Sequence, residues 1–308
     1  MWNTELLASE VLLEFYNSQS IVHPGNLIVN TDINNSSFNG TEWDIPDLTG
    51  TTSGYQTVLM EVEDRVLDCP IPILPCNSLL FDGVAEYINC GNNTAFDLNS
   101  TDSFSVSAWI KKTGGIYFPI LQKLETITLL NITGYRLYIG TTNEIIFNLI
   151  GGNTSNRLTV NTPPIMDNVW YNVTITYNGN EQASGVNIYI NSILQPLTIF
   201  IDTYSGSMVN SEILTLGGQP TSLNPIYGTG NIASVRMWNV ELTAGETLTE
   251  YNNGLSLASV QTSNLILNTD INNSIFNGSE WDIPDLTGIT SGYQTVLMEV
   301  GDKILDCP

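Results

Sequence analysis

Carboxylates are the abundant reactive groups of this 308-residue chain: 31 Asp and Glu stand against 8 Lys and Arg and one His. Two carboxylates on one face could serve as acid and base at a glycosidic bond. The nearest cluster is Glu61-Val62-Glu63-Asp64, where strand geometry puts Glu61 and Glu63 on one side. His23 lies beside Pro24-Gly25, so no Ser-His-Asp or Cys-His constellation can be built on a patterned element. Cys69, Cys76, Cys90 and Cys307 have no zinc spacing, with or without His23. They read as mostly reduced thiols, with a Cys69–Cys76 loop closure open as an alternative. Nothing here composes a catalytic centre, and a non-enzymatic protein is expected.

Rings set among amides and hydroxyls do another kind of chemistry, the stacking of a sugar. Tyr117, Tyr204 and Tyr227 fall in expected loops. Trp109 and Trp170 point away from the apolar positions of their strands. These five are the candidate glycan-binding residues, against the alternative that each packs on a neighbouring module or caps a sheet face.

The elements that must carry these residues are strands. Phe104, Val106, Ala108 and Ile110 alternate with polar residues. So do Tyr171, Val173, Ile175 and Tyr177, and Val186, Ile188 and Ile190. A period of two gives each strand one buried face. Gly114-Gly115, Gly151-Gly152, Asn178-Gly179-Asn180 and Gly217-Gly218 mark turns between them. Many such strands with little helix imply two sheets packed face to face. One helix signal stands out: Thr243-Ala244-Gly245-Glu246 opens a capping box that stops at Asn252-Asn253-Gly254. A weaker counterpart predicts helix over Ala8 to Tyr16.

Hydrophobic residues reach 42% and charged ones 13%, with net charge −23. The composition excludes a disordered tail. The charge excludes nucleic acid, which needs a cationic stripe, and disfavours an anionic membrane surface. No apolar run is long enough to cross a bilayer, and the first residues lack the basic start of a secretory signal.

The chain also nearly repeats itself. Asn26–Pro70 and Asn264–Pro308 differ at 7 of 45 aligned positions, and Met1-Trp2-Asn3 matches Met237-Trp238-Asn239. A period this long belongs to a domain array. Identity between recent copies does not by itself mark a site.

Ser78–Gly83, Glu86–Asn89, Phe104–Ile110, Val169–Thr174, Gly185–Asn191, Leu214–Gly218, Val235–Asn239 and Thr243–Gly254 follow one another in an order and spacing that resembles the laminin G-like, concanavalin A-like (pentraxin-related) jelly roll. The likeness covers about residues 78 to 254. It departs after Phe81-Asp82-Gly83, where the two acids common in the family are replaced by Ala85 and Glu86. The resemblance implies an all-β, two-sheet antiparallel jelly-roll sandwich with one short C-terminal helix, flanked by partial repeats of the same module. It divides the chain into 1–25, the end of a preceding module; 26–254, one jelly-roll module; and 255–308, a linker and the opening strands of a next module.

Such modules often hold Ca²⁺ at the sandwich rim, which nominates Asn92, Asn93 and Asp97 in GNNTAFD with Asp102, and Asp202 as second choice; ordinary Asn/Asp turn chemistry is the competing account. Related glucanases carry E-x-D-x-x-E on one strand, a pattern Glu61–Asp64 does not complete, and Glu63 becomes Gly301 in the second copy. The expected function is a structural and adhesive module of an extended surface assembly, a phage fibre or virion decoration or a bacterial surface protein. It would sit on the virion or outside the cell, binding glycans weakly and in many copies. Its expected partners are other copies of itself, as trimer or filament, and a cell-surface glycan. A calcium-dependent lectin and a glycoside hydrolase are the alternatives.

Overall fold

The computed structural model describes residues 37–38, 43–45, 55–56 and 77–308, save 116, 129, 221, 222, 224 and 257. Residues 1–25, with the expected Ala8–Tyr16 helix and His23, lie outside this set, as do Glu61, Glu63, Cys69 and Cys76. Two compact units divide the chain, Met1–Pro75 and Cys76–Pro308. In the first, Ser37–Phe38, Trp43–Ile45 and Tyr55–Gln56 form a small antiparallel sheet.

The second unit is a sandwich of two antiparallel sheets. One has ten strands, in the order Thr198–Asp202, Asn156–Pro164, Glu144–Asn153, Asn131–Ile139, Phe118–Thr128, Thr215–Leu216, Tyr87–Asn89, Tyr293–Val296, Trp281–Ile283 and Ile275–Phe276. The other runs Ile193–Leu194, Val186–Ile190, Tyr171–Tyr177, Phe104–Gly114, Thr229–Trp238, Ser78–Asp82 and Lys303–Ile304, with Leu265–Asn268 also paired to Thr229–Trp238.

Alternation sends Phe104, Val106, Ala108 and Ile110 inward from one sheet. Tyr135, Leu137, Phe147, Leu149, Leu158 and Val160 enter from the other. Each such burial stabilises by about 1.5–3 kcal/mol. Phe104 lies at the centre, its ring 5.7–5.9 Å from those of Tyr135, Phe147 and Tyr177. The turn at Gly217 (φ +76°) runs so close over Phe81 that a Cβ would stand 2.3 Å from the ring.

The helix Ala244–Asn253 starts where the capping box placed it. Thr243 Oγ1 accepts from Glu246 N at 3.3 Å, and the Glu246 carboxylate accepts from Thr243 N at 2.8 Å. This segment covers the outer face of the eight-stranded sheet. Arg236 and Glu250 form a buried ion pair at 2.7 Å, and Tyr251 stacks on Trp109 at 5.6 Å. Ser105 Oγ donates to Val240 O and accepts from Leu242 N, each at 2.9 Å. Ser105 and Ser107, which alternation alone would send to solvent, are therefore buried.

The structure draws its boundary away from the one the repeat suggested. Residues 264–308, expected to open a next module, close the Cys76–Pro308 unit instead. Gln294, Thr295 and Val296 pair with Asn89, Ile88 and Tyr87, and Lys303 and Ile304 pair with Leu79 and Ser78. Ile266, Leu267, Ile271, Trp281, Ile283, Tyr293 and Met298 enter the same core. The physical reason is edge satisfaction: the Tyr87–Asn89 and Ser78–Asp82 strands would otherwise present unpaired backbone groups. The thiol expectation changes at Cys307, which is disulfide-bonded, and holds at Cys90, a buried free thiol that burial pushes to a higher pKa.

Candidate functional site

With the helix over one sheet, the face to consider is the outer side of the other. Directly opposed residues in an antiparallel sheet share a face. One such row crosses all ten strands: Ile275 opposes Asp282, Asp282 opposes Gln294, Gln294 opposes Asn89, and Asn89 opposes Thr215. The row continues through Gln122, Arg136, Asn148 and Thr159 to Ile201. Eight consecutive rungs are thus polar, on strands whose alternate residues are core.

The rungs are held by one another and by the backbone. Arg136 Nε donates to Asn148 Oδ1 at 2.8 Å, and Asn148 Nδ2 donates to Thr159 Oγ1 at 2.9 Å. Gln122 Nε2 and Thr215 Oγ1 both donate to Gly218 O. Gln294 Nε2 donates to Asp282 Oδ1 at 2.9 Å. Side chains fixed in this way lose little freedom when a ligand arrives.

At one end the row opens into a groove of about 820 Å³, lined among others by Asn89, Asn92, Asn93, Asp282, Thr290 and Gln294. Toward the other end stand two tyrosines and two arginines. The Arg136 guanidinium lies 4.5 Å from the Tyr138 ring centre, and Tyr117 is 6.2 Å from Tyr138. Burial and the neighbouring Arg157 charge together push Arg136 below the usual arginine range. Burial raises the Tyr138 phenol, so its hydroxyl stays protonated as a donor.

The residues nominated from sequence disperse. Tyr117 is 37% exposed and stands at this face. Tyr204 is 4% exposed, its hydroxyl bonded to Gly206 O, so it offers no platform. Trp109 lies under Tyr251. Trp170 Nε1 donates to Asp306 Oδ1 at 3.0 Å, with Lys111 over its ring, so its polar edge is taken. Tyr227 is half-buried on a two-residue strand against Gly218–Gln219.

The four calcium candidates are each engaged separately. Asn93 caps the turn at Thr94–Phe96, Asp97 pairs with the buried Lys123 at 3.1 Å, Asp102 caps Asn99 N, and Asn92 Nδ2 donates to Ser211 O. Asp202 accepts from Ala183 N at 2.8 Å. Among the described residues no three His, Cys, Asp or Glu side chains gather as a metal site.

Carboxylates do crowd elsewhere. Glu86 feels the charges of Asp302 and Asp82, and burial first, then those neighbours, push it up to about 7. Its Oε2 accepts from Asp82 N at 2.6 Å, which gives it a turn-closing role. Within the polar row the one carboxylate is Asp282, bonded to Asn277 and Gln294.

Sequence reasoning passed over Arg136, Arg157, Tyr138, Gln122 and Asn148. Their signal was present as polar residues at the alternate positions of apolar strands, but only register shows that they line up.

A model of the concanavalin A-like lectin/glucanases superfamily matches residues 82–247, more than half of the chain. A comparison with curated protein sequences gives no match. Among solved structures, the chain is similar to a Bacteroides ovatus protein assigned to carbohydrate binding, at 19% identity and TM-score 0.49, over 73% of this chain and 60% of that one. The match therefore spans less than two thirds of that protein. The CBM40 of the Ruminococcus gnavus IT-sialidase, bound to α2,3-sialyllactose, is matched at 16% identity and TM-score 0.43, over 57% of this chain and 98% of that one. The native heptameric SAP-like pentraxin of Limulus polyphemus is matched at 14% identity and TM-score 0.41, over 61% and 85%. At such identities the likeness is one of fold. The family match, spanning motifs from the Ser78–Asp82 strand into the capped helix, is decisive: the chain belongs to the concanavalin A-like lectin/glucanase superfamily.

Proposed function

We propose that this chain is a non-enzymatic glycan-binding module that acts through the outer face of the ten-stranded sheet. The observation that carries the reading is the row of eight polar side chains crossing that face, with Tyr117 and Tyr138 at its margin. Sugars present hydroxyls in many directions and apolar C–H faces. Asn89, Gln294, Asp282 and Arg136, the rungs that are not buried, answer the first, with Thr215, Gln122, Asn148 and Thr159 buried between and beside them, and tyrosine rings answer the second. A glycosidase would need two carboxylates flanking the bond, about 5–9.5 Å apart. The row contains one, already bonded to neighbours.

A shallow face of this kind binds weakly at each copy. Repetition raises the overall affinity without new contacts. A tandem arrangement, of which the internal repeat is the mark, suits a protein of an extracellular or virion surface. Among the described residues no helix is long and apolar enough to cross a membrane.

The test is a glycan array probed with the full chain, with and without chelator. Tyr117→Ala should weaken the strongest signals by roughly tenfold, the loss of one stacking contact of about 1–1.5 kcal/mol. Signals untouched by Tyr117→Ala and by Tyr138→Ala would move the site off this face. Loss of signal in chelator would assign the calcium-dependent alternative.

A further inference from the structure

The bases of Cys76–Pro308 divide into three kinds. Lys111, Lys112, Lys123 and Arg236 each pair with a carboxylate, respectively Asp306, Asp167, Asp97 and Glu250. Lys303 Nζ donates to two carbonyls, Asn272 O and Ser274 O, at 2.9 Å each. Among the described residues, Arg136 and Arg157 have no carboxylate within ion-pair distance. In a chain with 31 acids and net charge −23, neutralising them would be easy. Arg157 instead stands close enough for its charge to act on Arg136.

Arg157 shares the outer face of the ten-stranded sheet: it opposes Ile150, two residues along from Asn148, the rung that holds Arg136. Its Nε is buried and has no hydrogen-bond partner. Asn161, four residues further on the same strand and face, has a buried Oδ1 without a partner. A buried donor left unbonded destabilises the fold, and more so when charged. Two adjacent uncompensated guanidiniums add mutual repulsion. Such a cost persists where something else meets the groups in use.

We infer that the Arg136–Arg157 end of this face receives an oxyanion carried by the glycan, a carboxylate or a sulfate ester on a sugar ring, with Asn161 Oδ1 accepting a hydroxyl elsewhere on the same glycan. This rests on the glycan-binding reading above and adds the charge of the ligand to it. An oxyanion satisfies the unbonded Nε in the charge-assisted geometry that guanidinium favours. Tyr138, already under Arg136, and Tyr117 beside it supply the ring surface for the same sugar. A neutral sugar would leave both positive charges uncompensated.

The experiment uses the isotope-labelled full chain and three forms of one disaccharide that differ only at C6: hydroxymethyl, carboxylate and sulfate ester. The carboxylate form, the sulfate form or both should bind at least about tenfold more tightly than the hydroxymethyl form and shift the Arg157 Nε–H resonance. The two arms identify the oxyanion. Arg157→Gln should bring the charged and neutral forms within about twofold of each other. The same substitution should leave the unliganded fold as stable or raise its melting temperature, because it removes a like charge and an unbonded donor. Equal affinity for all three forms overturns this inference and leaves the glycan reading standing. A response to sodium acetate or sulfate with none to any sugar overturns the inference as well as the glycan reading, as does no response at all. A lower melting temperature in Arg157→Gln would make the guanidinium a structural group, and that also overturns the inference.

Discussion

The same 45-residue segment occurs twice, and its two copies show what a short stretch of chain decides for itself. In Met1–Pro75, Ser37 opposes Asp44, Phe38 opposes Trp43, Asp44 opposes Gln56 and Ile45 opposes Tyr55. In Cys76–Pro308, Ile275, Phe276, Asp282 and Ile283 oppose the corresponding Asp282, Trp281, Gln294 and Tyr293. The register is identical, position for position. A local ladder therefore belongs to the segment, whose alternation and turn residues set it. What the second copy has besides is a seat: Tyr87–Asn89 on one side and Ser78–Asp82 on the other. Of the seven differences, Ile275, Ser279, Ile289 and Gly301 are exposed in the seated copy. The remaining three, Leu267, Lys303 and Ile304, face conservative counterparts in Val29, Arg65 and Val66.

Paired substitutions can break or sharpen this contrast. The largest effect should come from Trp281→Ala. Trp281 packs on Phe276 at 5.4 Å, lies under Lys303 Nζ and donates from Nε1 to Glu299 O. Removing it should cost about 3–5 kcal/mol in denaturant unfolding of the sandwich. Trp43→Ala at the twin position should leave that transition in place, and equal losses would erase the distinction between the copies. Next, Asp306→Ala strips partners from Trp170 Nε1 and Lys111 at once. A loss of about 1–2 kcal/mol is expected in denaturant unfolding.

A third contrast depends on pH. Glu86 faces Asp302 of the seated copy, and its folded pKa of about 7 lies above the ordinary 4.5. A raised carboxylate contributes its full stability below pH 4.5, where it is neutral in both states. That contribution falls as pH rises from 4.5 through 7, while the unfolded chain ionises and the folded one resists. Glu86→Gln should therefore be the more stable protein at pH 8, by about 1 kcal/mol after solvent screening. The gap should close toward pH 4.5; a gap independent of pH would remove Glu86 as its source. Leu267→Val, which copies Val29 into a fully buried position, should cost about 1 kcal/mol. Ile275→Ser, at a residue 69% exposed, should stay within about 0.5 kcal/mol. Thermal melts of these two single variants rank core against surface within one repeat.

Much of the sandwich was readable because its code is local. Phe104 to Ile110 shows its buried face at every second residue, and Thr243 with Glu246 announces the helix start. Gly115 and Gly179 fall where the chain reverses, whereas Gly151 and Gly152 lie within the Glu144–Asn153 strand, just before the reversal. Less could be read where the outcome depends on partners distant in the chain. Trp109 points away from the core as alternation requires, yet Tyr251 arrives over it from a helix more than a hundred residues later. Arg136 and Arg157 are single bases in separate strands, and only hairpin register puts them on adjoining rungs. The repeat itself does not announce that its second copy pairs with Tyr87–Asn89 and Ser78–Asp82.

The seat has a consequence for how the molecule is made. Tyr87–Asn89 waits for Gln294–Val296, roughly 200 residues downstream, and Ser78–Asp82 waits still longer for Lys303–Ile304. During synthesis the nascent sandwich must leave two hydrogen-bonding borders open until its final strands emerge from the ribosome. Closure is then a late, slow, long-loop event, and the interval before it is when a stalled chain would most readily join its neighbours into aggregates.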